Sequence, residues 1–213
     1  MSETTPLESR PRRLGFAAFR QRDFAVYLAG SLFGNLAIQM QAAALFWQVY
    51  DLSGSTLALA MIGLMEFLPA PLLLALSGPI ADRVERRLIV QRGYFVLMIG
   101  ALMLLWLSIG QPARIWPFFV VAFLVGCVRA FLSPAGRAIV PSLVPPELLG
   151  NAIAWRSTSF QTAIIGGPVA AGLLYGFGPA TVYGVVAGFM IIASVTMFLV
   201  SRRPAAQSGE RPG

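Results

Sequence analysis

Residues Gly78 to Arg87 form a charged turn between two apolar runs, 56 to 77 and 88 to 109, each long enough to cross a bilayer. So short a connection makes the flanking helices antiparallel neighbours. Its arginines, Arg83, Arg86 and Arg87, mark the face of the membrane on which the turn lies, because positively charged loops stay on the cytoplasmic side.

The remainder of the chain has the composition such a turn requires. Of 213 residues 57% are hydrophobic and 12% charged, and the mean hydropathy is +0.73. A water-soluble domain of this size needs far more polar surface, so lipid is the expected solvent. All 16 basic residues are arginine and histidine is absent, which removes the commonest general base and metal ligand. The lone Cys127 permits neither a disulfide nor a thiolate cluster. No nucleophile sits beside a base, and no glycine-rich phosphate loop ends in lysine, so neither an enzyme nor an ATP-driven pump is expected. No cofactor and no metal is expected either.

The net charge of +7 has a membrane explanation that makes nucleic-acid binding unnecessary. Arginines gather in the amino-terminal tail (10, 12, 13, 20, 22), around the charged turn (83, 86, 87, 92), at 137 and 156, and in the carboxyl tail (202, 203, 211). Only Arg114 falls in an intervening loop on the opposite side, and Arg129 lies within a span. This alternation places both termini in the cytoplasm and suits contacts with anionic lipid. The amino-terminal stretch lacks a signal-peptide pattern and is read as uncleaved.

Hydropathy and turn residues divide the chain into a cytoplasmic segment (1–22), a transmembrane bundle (23–201) and a disordered cytoplasmic tail (202–213). The predicted helices are roughly 24–49, 56–77, 88–109, 116–136, 152–176 and 180–200, an all-α integral membrane fold of six spans. Asp51 to Ser55 reads as the first turn. Glycine pairs four apart, Gly30 with Gly34, Gly172 with Gly176 and Gly184 with Gly188, predict close helix approaches.

Several polar residues fall inside these spans. Ser31, Asn35 and Gln39 are four apart and share one face of the first helix, which must meet another helix or a water-filled cavity. They either hydrogen-bond between helices or line a substrate path, and Gln161 in the fifth span is a further candidate for that lining. Glu66 and Arg129 lie at membrane depth, about 18 Å and about 12 Å from the cytoplasmic ends of their helices. Each costs roughly 2.5 to 3.5 kcal/mol or more there unless paired, so a partner or a role is expected. The two readings are proton exchange at Glu66 during a transport cycle and a fixed structural ion pair.

The pattern Gly78-x-x-Ala81-Asp82-Arg83-x-x-Arg86-Arg87 resembles the signature loop between the second and third helices of the major facilitator superfamily of secondary transporters. The resemblance runs from about residue 15 to 203. Phe19-Arg20, Glu66-Phe67-Leu68-Pro69, Arg129-Ala130-Phe131-Leu132-Ser133-Pro134 and Pro145-Pro146-Glu147 look like the drug and siderophore exporter branch, which includes enterobactin and macrolide exporters. Gly166-Gly167-Pro168 with Gly172 resembles the glycine-proline packing motif of exporter fifth helices.

The resemblance implies the amino-terminal six-helix bundle of that fold, a 3+3 inverted repeat, in the bacterial inner membrane. It also implies a role for Gly78 and Asp82, with Arg83, Arg86 and Arg87, in a latch that joins two bundles on the cytoplasmic side. The expected function is export of an amphipathic small molecule by proton antiport, with alternating access after pairing with a second bundle, from another copy or a separate half. The expected partners are thus that bundle, substrate, protons and lipid. The alternative is a transport-incompetent remnant or accessory membrane subunit.

Overall fold

A computed structural model describes residues 15–73, 85–110 and 114–200. Gly78, Asp82 and Arg83 of the charged turn, the first fourteen residues and the tail lie outside the described residues. Among the described residues the protein is all-helical, with six long helices. These are α1 (Arg22–Ser53), α2 (Thr56–Phe67), α3 (Arg86–Ile109), α4 (Trp116–Ala138), α5 (Leu149–Tyr175) and α6 (Pro179–Leu199).

Local chemistry sets several boundaries. α1 ends at Gly54, whose left-handed backbone (φ 61°) lets its amide close onto the Tyr50 carbonyl at 2.7 Å. The helix therefore takes in Asp51, Leu52 and Ser53, which the sequence suggested as a turn. Ser55 caps α2 by accepting from the Ala58 amide. A turn at Leu68 interrupts the second span just before Pro69, which has no amide hydrogen to donate, and helical structure then resumes to Leu73. Pro134 and Pro168 lie inside α4 and α5.

Four stretches among the described residues are long and apolar enough to cross a membrane: Thr56–Leu73, Arg86–Ile109, Trp116–Ser142 and Pro179–Leu199. α1 carries polar side chains toward the interior, with Ser31, Gln41 and Gln48 buried, whereas Ser157, Thr158, Gln161 and Thr162 of α5 are exposed. Large apolar residues cover the outside, among them Trp106, Ile165, Leu173 and Phe177, a distribution suited to lipid. The protein is a multi-pass membrane protein.

α1 packs most extensively against α5 and α6, α3 bridges α6 and α4, and α2 lies against α4. Phe24, Tyr27, Met40, Leu97, Phe118 and Tyr183 are buried between them. Ahead of α1, Phe16 packs at a tilt and Phe19 edge-on against Trp155 of α5, whose indole nitrogen donates to the Gly15 carbonyl at 2.6 Å. At the other end, Tyr175 of α5 donates to Asp51 of α1 at 2.8 Å.

Glycine is required where two backbones meet. A methyl on Gly126 of α4 would collide with the Glu66 carbonyl oxygen and come within 3.0 Å of Pro69. One on Gly167 of α5 would lie 2.5 Å from Gln39 and 3.3 Å from the Leu36 carbonyl oxygen of α1. Gly30, Gly34 and Gly172 also face other helices closely, whereas Gly166 has only an ordinary contact with Leu36. Gly176, Gly184 and Gly188 differ from the spacing argument: among the described residues no other helix comes within 4 Å of a methyl added there. A four-residue spacing fixes a helix face, but the rotation of the helix decides what that face meets.

Candidate functional site

Glu66 sits in the last turn of α2 and Arg129 in the middle of α4. Arg129 Nη1 donates to Glu66 Oε2 at 3.2 Å. The bare backbone at Gly126, one turn before Arg129, lets α2 come close enough for the two side chains to meet. The carboxylate is the more enclosed partner, with Glu66 14% exposed and Arg129 42% exposed.

Arg129 also lines two hollows. On one side, between α2 and α4, is an open hollow of about 510 Å³ lined by Glu66, Phe67, Arg129 and Arg137. On the other is a cavity of about 130 Å³ with walls from α1, α3, α4 and α5. Ser31, Asn35 and Gln39 all line this smaller cavity, and so do Tyr27, Tyr94 and Arg156. Gln161 is exposed and outside its wall. Tyr27 is held by donation of its hydroxyl to the Gly136 carbonyl at 2.5 Å, which ties α1 to α4 at the rim.

At the end of the described part of the charged turn, Arg86 and Arg87 do more than carry charge. Arg86 donates to the Ala138 carbonyl at 2.8 Å, at the end of α4. Arg87 donates to the Met197 and Phe198 carbonyls at 2.9 and 2.7 Å, and its guanidinium lies 6.0 Å from the Phe198 ring centre. Those carbonyls belong to the last turn of α6, where helices leave acceptors unpaired and favour cations. Arg87 thus caps α6 from α3.

Arg87→Ala is expected to destabilise the protein by about 1–2 kcal/mol, the value of two charge-assisted bonds at a partly exposed site. Arg87→Lys should recover only part, since an ammonium lacks the planar fork that spans two carbonyls. Identical thermal melts of all three in detergent would confine Arg87 to setting topology.

Comparison with known proteins decides the family. A major facilitator superfamily model, described as a transmembrane secretion effector, matches residues 14–211. The chain belongs to the major facilitator superfamily. That superfamily is one of membrane transporters and not of enzymes. This superfamily member is 27% identical over 147 residues to macrolide efflux protein A of Streptococcus pyogenes, covering 69% of this chain and 36% of that protein. It is 33% identical over 120 residues to the multidrug resistance protein MdtG of Escherichia fergusonii, covering 56% and 27%. The uncharacterized MFS-type transporter YfiS of Bacillus subtilis is 25% identical over 171 residues, covering 80% and 40%. The chain spans less than half the length of these curated relatives.

Sequence reasoning overlooked Arg156, which looks like one more interfacial charge. Ser159 and Phe160, three and four residues further on, share its helix face and line the same cavity. That spacing was the available signal. Tyr27, Tyr94 and Ser133 gave none, because one aromatic or hydroxyl residue per span is compatible with simple packing.

Proposed function

We propose that this chain is one six-span bundle of an efflux transporter in the bacterial inner membrane. It exports an amphipathic small molecule, such as a drug or siderophore, in exchange for protons. The observation that carries this reading is the Glu66–Arg129 ion pair at membrane depth, opening onto one hollow and backed by another. A carboxylate so placed can accept a proton at the cost of one salt bridge, and its partner keeps access to water through its own exposure. The names of the relatives, macrolide efflux and multidrug resistance, agree with export.

In this proposal all six helices span the membrane with both termini in the cytoplasm, arranged as a 3+3 inverted repeat. A second bundle, from another copy or a separate half, completes the path, and rocking of one against the other gives alternating access. Ser31, Asn35 and Gln39 line the path, with Gln161 facing the partner bundle. In the motif Gly166-Gly167-Pro168 with Gly172, Gly167 and Gly172 let α5 pack closely on α1. Gly78, Asp82 and Arg83, with Arg86 and Arg87, form the cytoplasmic latch.

Asp82→Asn is expected to slow efflux severalfold while leaving the amount of protein in the membrane unchanged, because it shifts the balance of open and closed states rather than the binding groups. Macrolide accumulation in cells producing each form is the measurement. An unchanged rate removes the latch from the proposal. If the unaltered chain, at a verified membrane level, leaves accumulation the same as in cells lacking it, the reading as a remnant or accessory subunit takes over.

A further inference from the structure

The smaller cavity contains a charge imbalance that export does not explain. Two guanidinium groups, Arg129 and Arg156, are on its wall with the neutral hydrogen-bonding side chains Asn35, Tyr27, Tyr94 and Ser159. No aspartate or glutamate among the described residues lines it: Glu66 reaches Arg129 from the opposite hollow. Arg156 has no ion pair among the described residues. The Ser159 hydroxyl is shielded from solvent and has no hydrogen-bond partner there. A guanidinium without an ion pair and a shielded hydroxyl without a partner, facing one cavity beside the Glu66-bound Arg129, favour an anion that can accept from them. The volume, about 130 Å³, is several times what one water needs.

We propose that this cavity binds an oxyanion, a phosphate, sulfate or carboxylate group, held by Arg156 and Ser159 and competing with Glu66 for Arg129. The competition is the distinctive part. A guanidinium drawn toward an anion in the cavity interacts less with Glu66, so bound anion and protonated Glu66 favour one another, and each raises affinity for the other equally. The site requires no transport activity, so it stands or falls separately from the export proposal. Its source is either a free anion or the phosphate of an anionic lipid entering from the cytoplasmic leaflet.

The test uses the full chain in a neutral detergent and sodium sulfate as probe, titrated calorimetrically against sodium chloride at equal ionic strength. Sulfate should bind at least about ten-fold more tightly than chloride. Arg156→Gln should weaken sulfate by about ten-fold or more, the value of one charge-assisted hydrogen bond, and Arg156→Lys by less. Ser159→Ala, a smaller change that spares the fold, should weaken it about three-fold or more. Glu66→Gln should tighten it about three-fold or more, since Arg129 no longer faces a carboxylate.

Repeating the titration in nanodiscs of phosphatidylcholine, with and without phosphatidylglycerol, separates the sources. Loss of sulfate binding in the presence of phosphatidylglycerol assigns the site to a lipid phosphate, and unchanged binding assigns it to a free anion. Sulfate no better than chloride, or equal sulfate affinity in folded Arg156→Gln and Ser159→Ala, would overturn the proposal. So would a Glu66→Gln variant that binds sulfate less tightly.

Discussion

Glu66→Gln is expected to abolish proton-coupled efflux while leaving the protein folded and in the membrane. Glutamine keeps the size of the side chain and can still accept a hydrogen bond from Arg129, 3.2 Å away in the native pair, but it cannot take up or release a proton. The stability cost should stay below the roughly 2.5–3.5 kcal/mol of an unpaired charge within lipid, because the arginine left without its carboxylate is 42% exposed and lines the open hollow. The reciprocal change is asymmetric. Arg129→Gln leaves a carboxylate that is only 14% exposed, and removing the partner of an enclosed charge costs up to about 3–5 kcal/mol or forces its protonation. Thermal melts of the two variants and their combination separate a structural pair from a working one. If Arg129→Gln alone is destabilised, the double variant is rescued and Glu66→Gln still exports at the native rate, the ion pair is structural and Glu66 has no part in coupling.

The second large effect is expected at Gly126. A β-carbon there meets the Glu66 carbonyl oxygen, which is backbone and cannot swing away, as well as Pro69 at 3.0 Å. Gly126→Ala must therefore push α2 off α4 or fail to pack, at about 1–3 kcal/mol, and Gly126→Val more. The displacement also moves Glu66 relative to Arg129, so efflux should fall further than stability alone explains. Gly188→Ala provides the contrast. Among the described residues nothing lies within 4 Å of the added methyl, and alanine is the better helix former, so stability should be unchanged or slightly raised. Equal melting temperatures for Gly126→Ala and Gly188→Ala would show that the α2–α4 approach is looser than the structure has it.

These two sites also show what the sequence could and could not reveal. Glu66 and Arg129 were legible as a pair of candidates because ionisable residues at membrane depth are expensive, whatever the fold. Their meeting at 3.2 Å depends on the approach of α2 to α4 at Gly126, which sequence spacing does not encode. The face formed by Ser31, Asn35 and Gln39 followed from helical periodicity, and all three line one cavity. Arg156 was obscured by its position near a helix start, where positive charge already has a topological explanation. Arg87 was obscured in the same way, although it grips the last carbonyls of α6. Gly184 and Gly188 differ in the opposite sense: their spacing signalled an approach, but among the described residues nothing lies within 4 Å of a methyl added at either. The all-helical membrane fold was legible from apolar run length and charged turns, because lipid permits few other ways of satisfying a backbone.

The most direct test of proton-coupled export is radiolabelled macrolide movement in proteoliposomes containing the full chain, with and without an imposed pH gradient. The account predicts macrolide flux that accelerates with the gradient and, in the same vesicles, proton flow that macrolide triggers, both lost in Glu66→Gln. Absence of macrolide movement, or movement indifferent to the gradient and to Glu66→Gln, would contradict it.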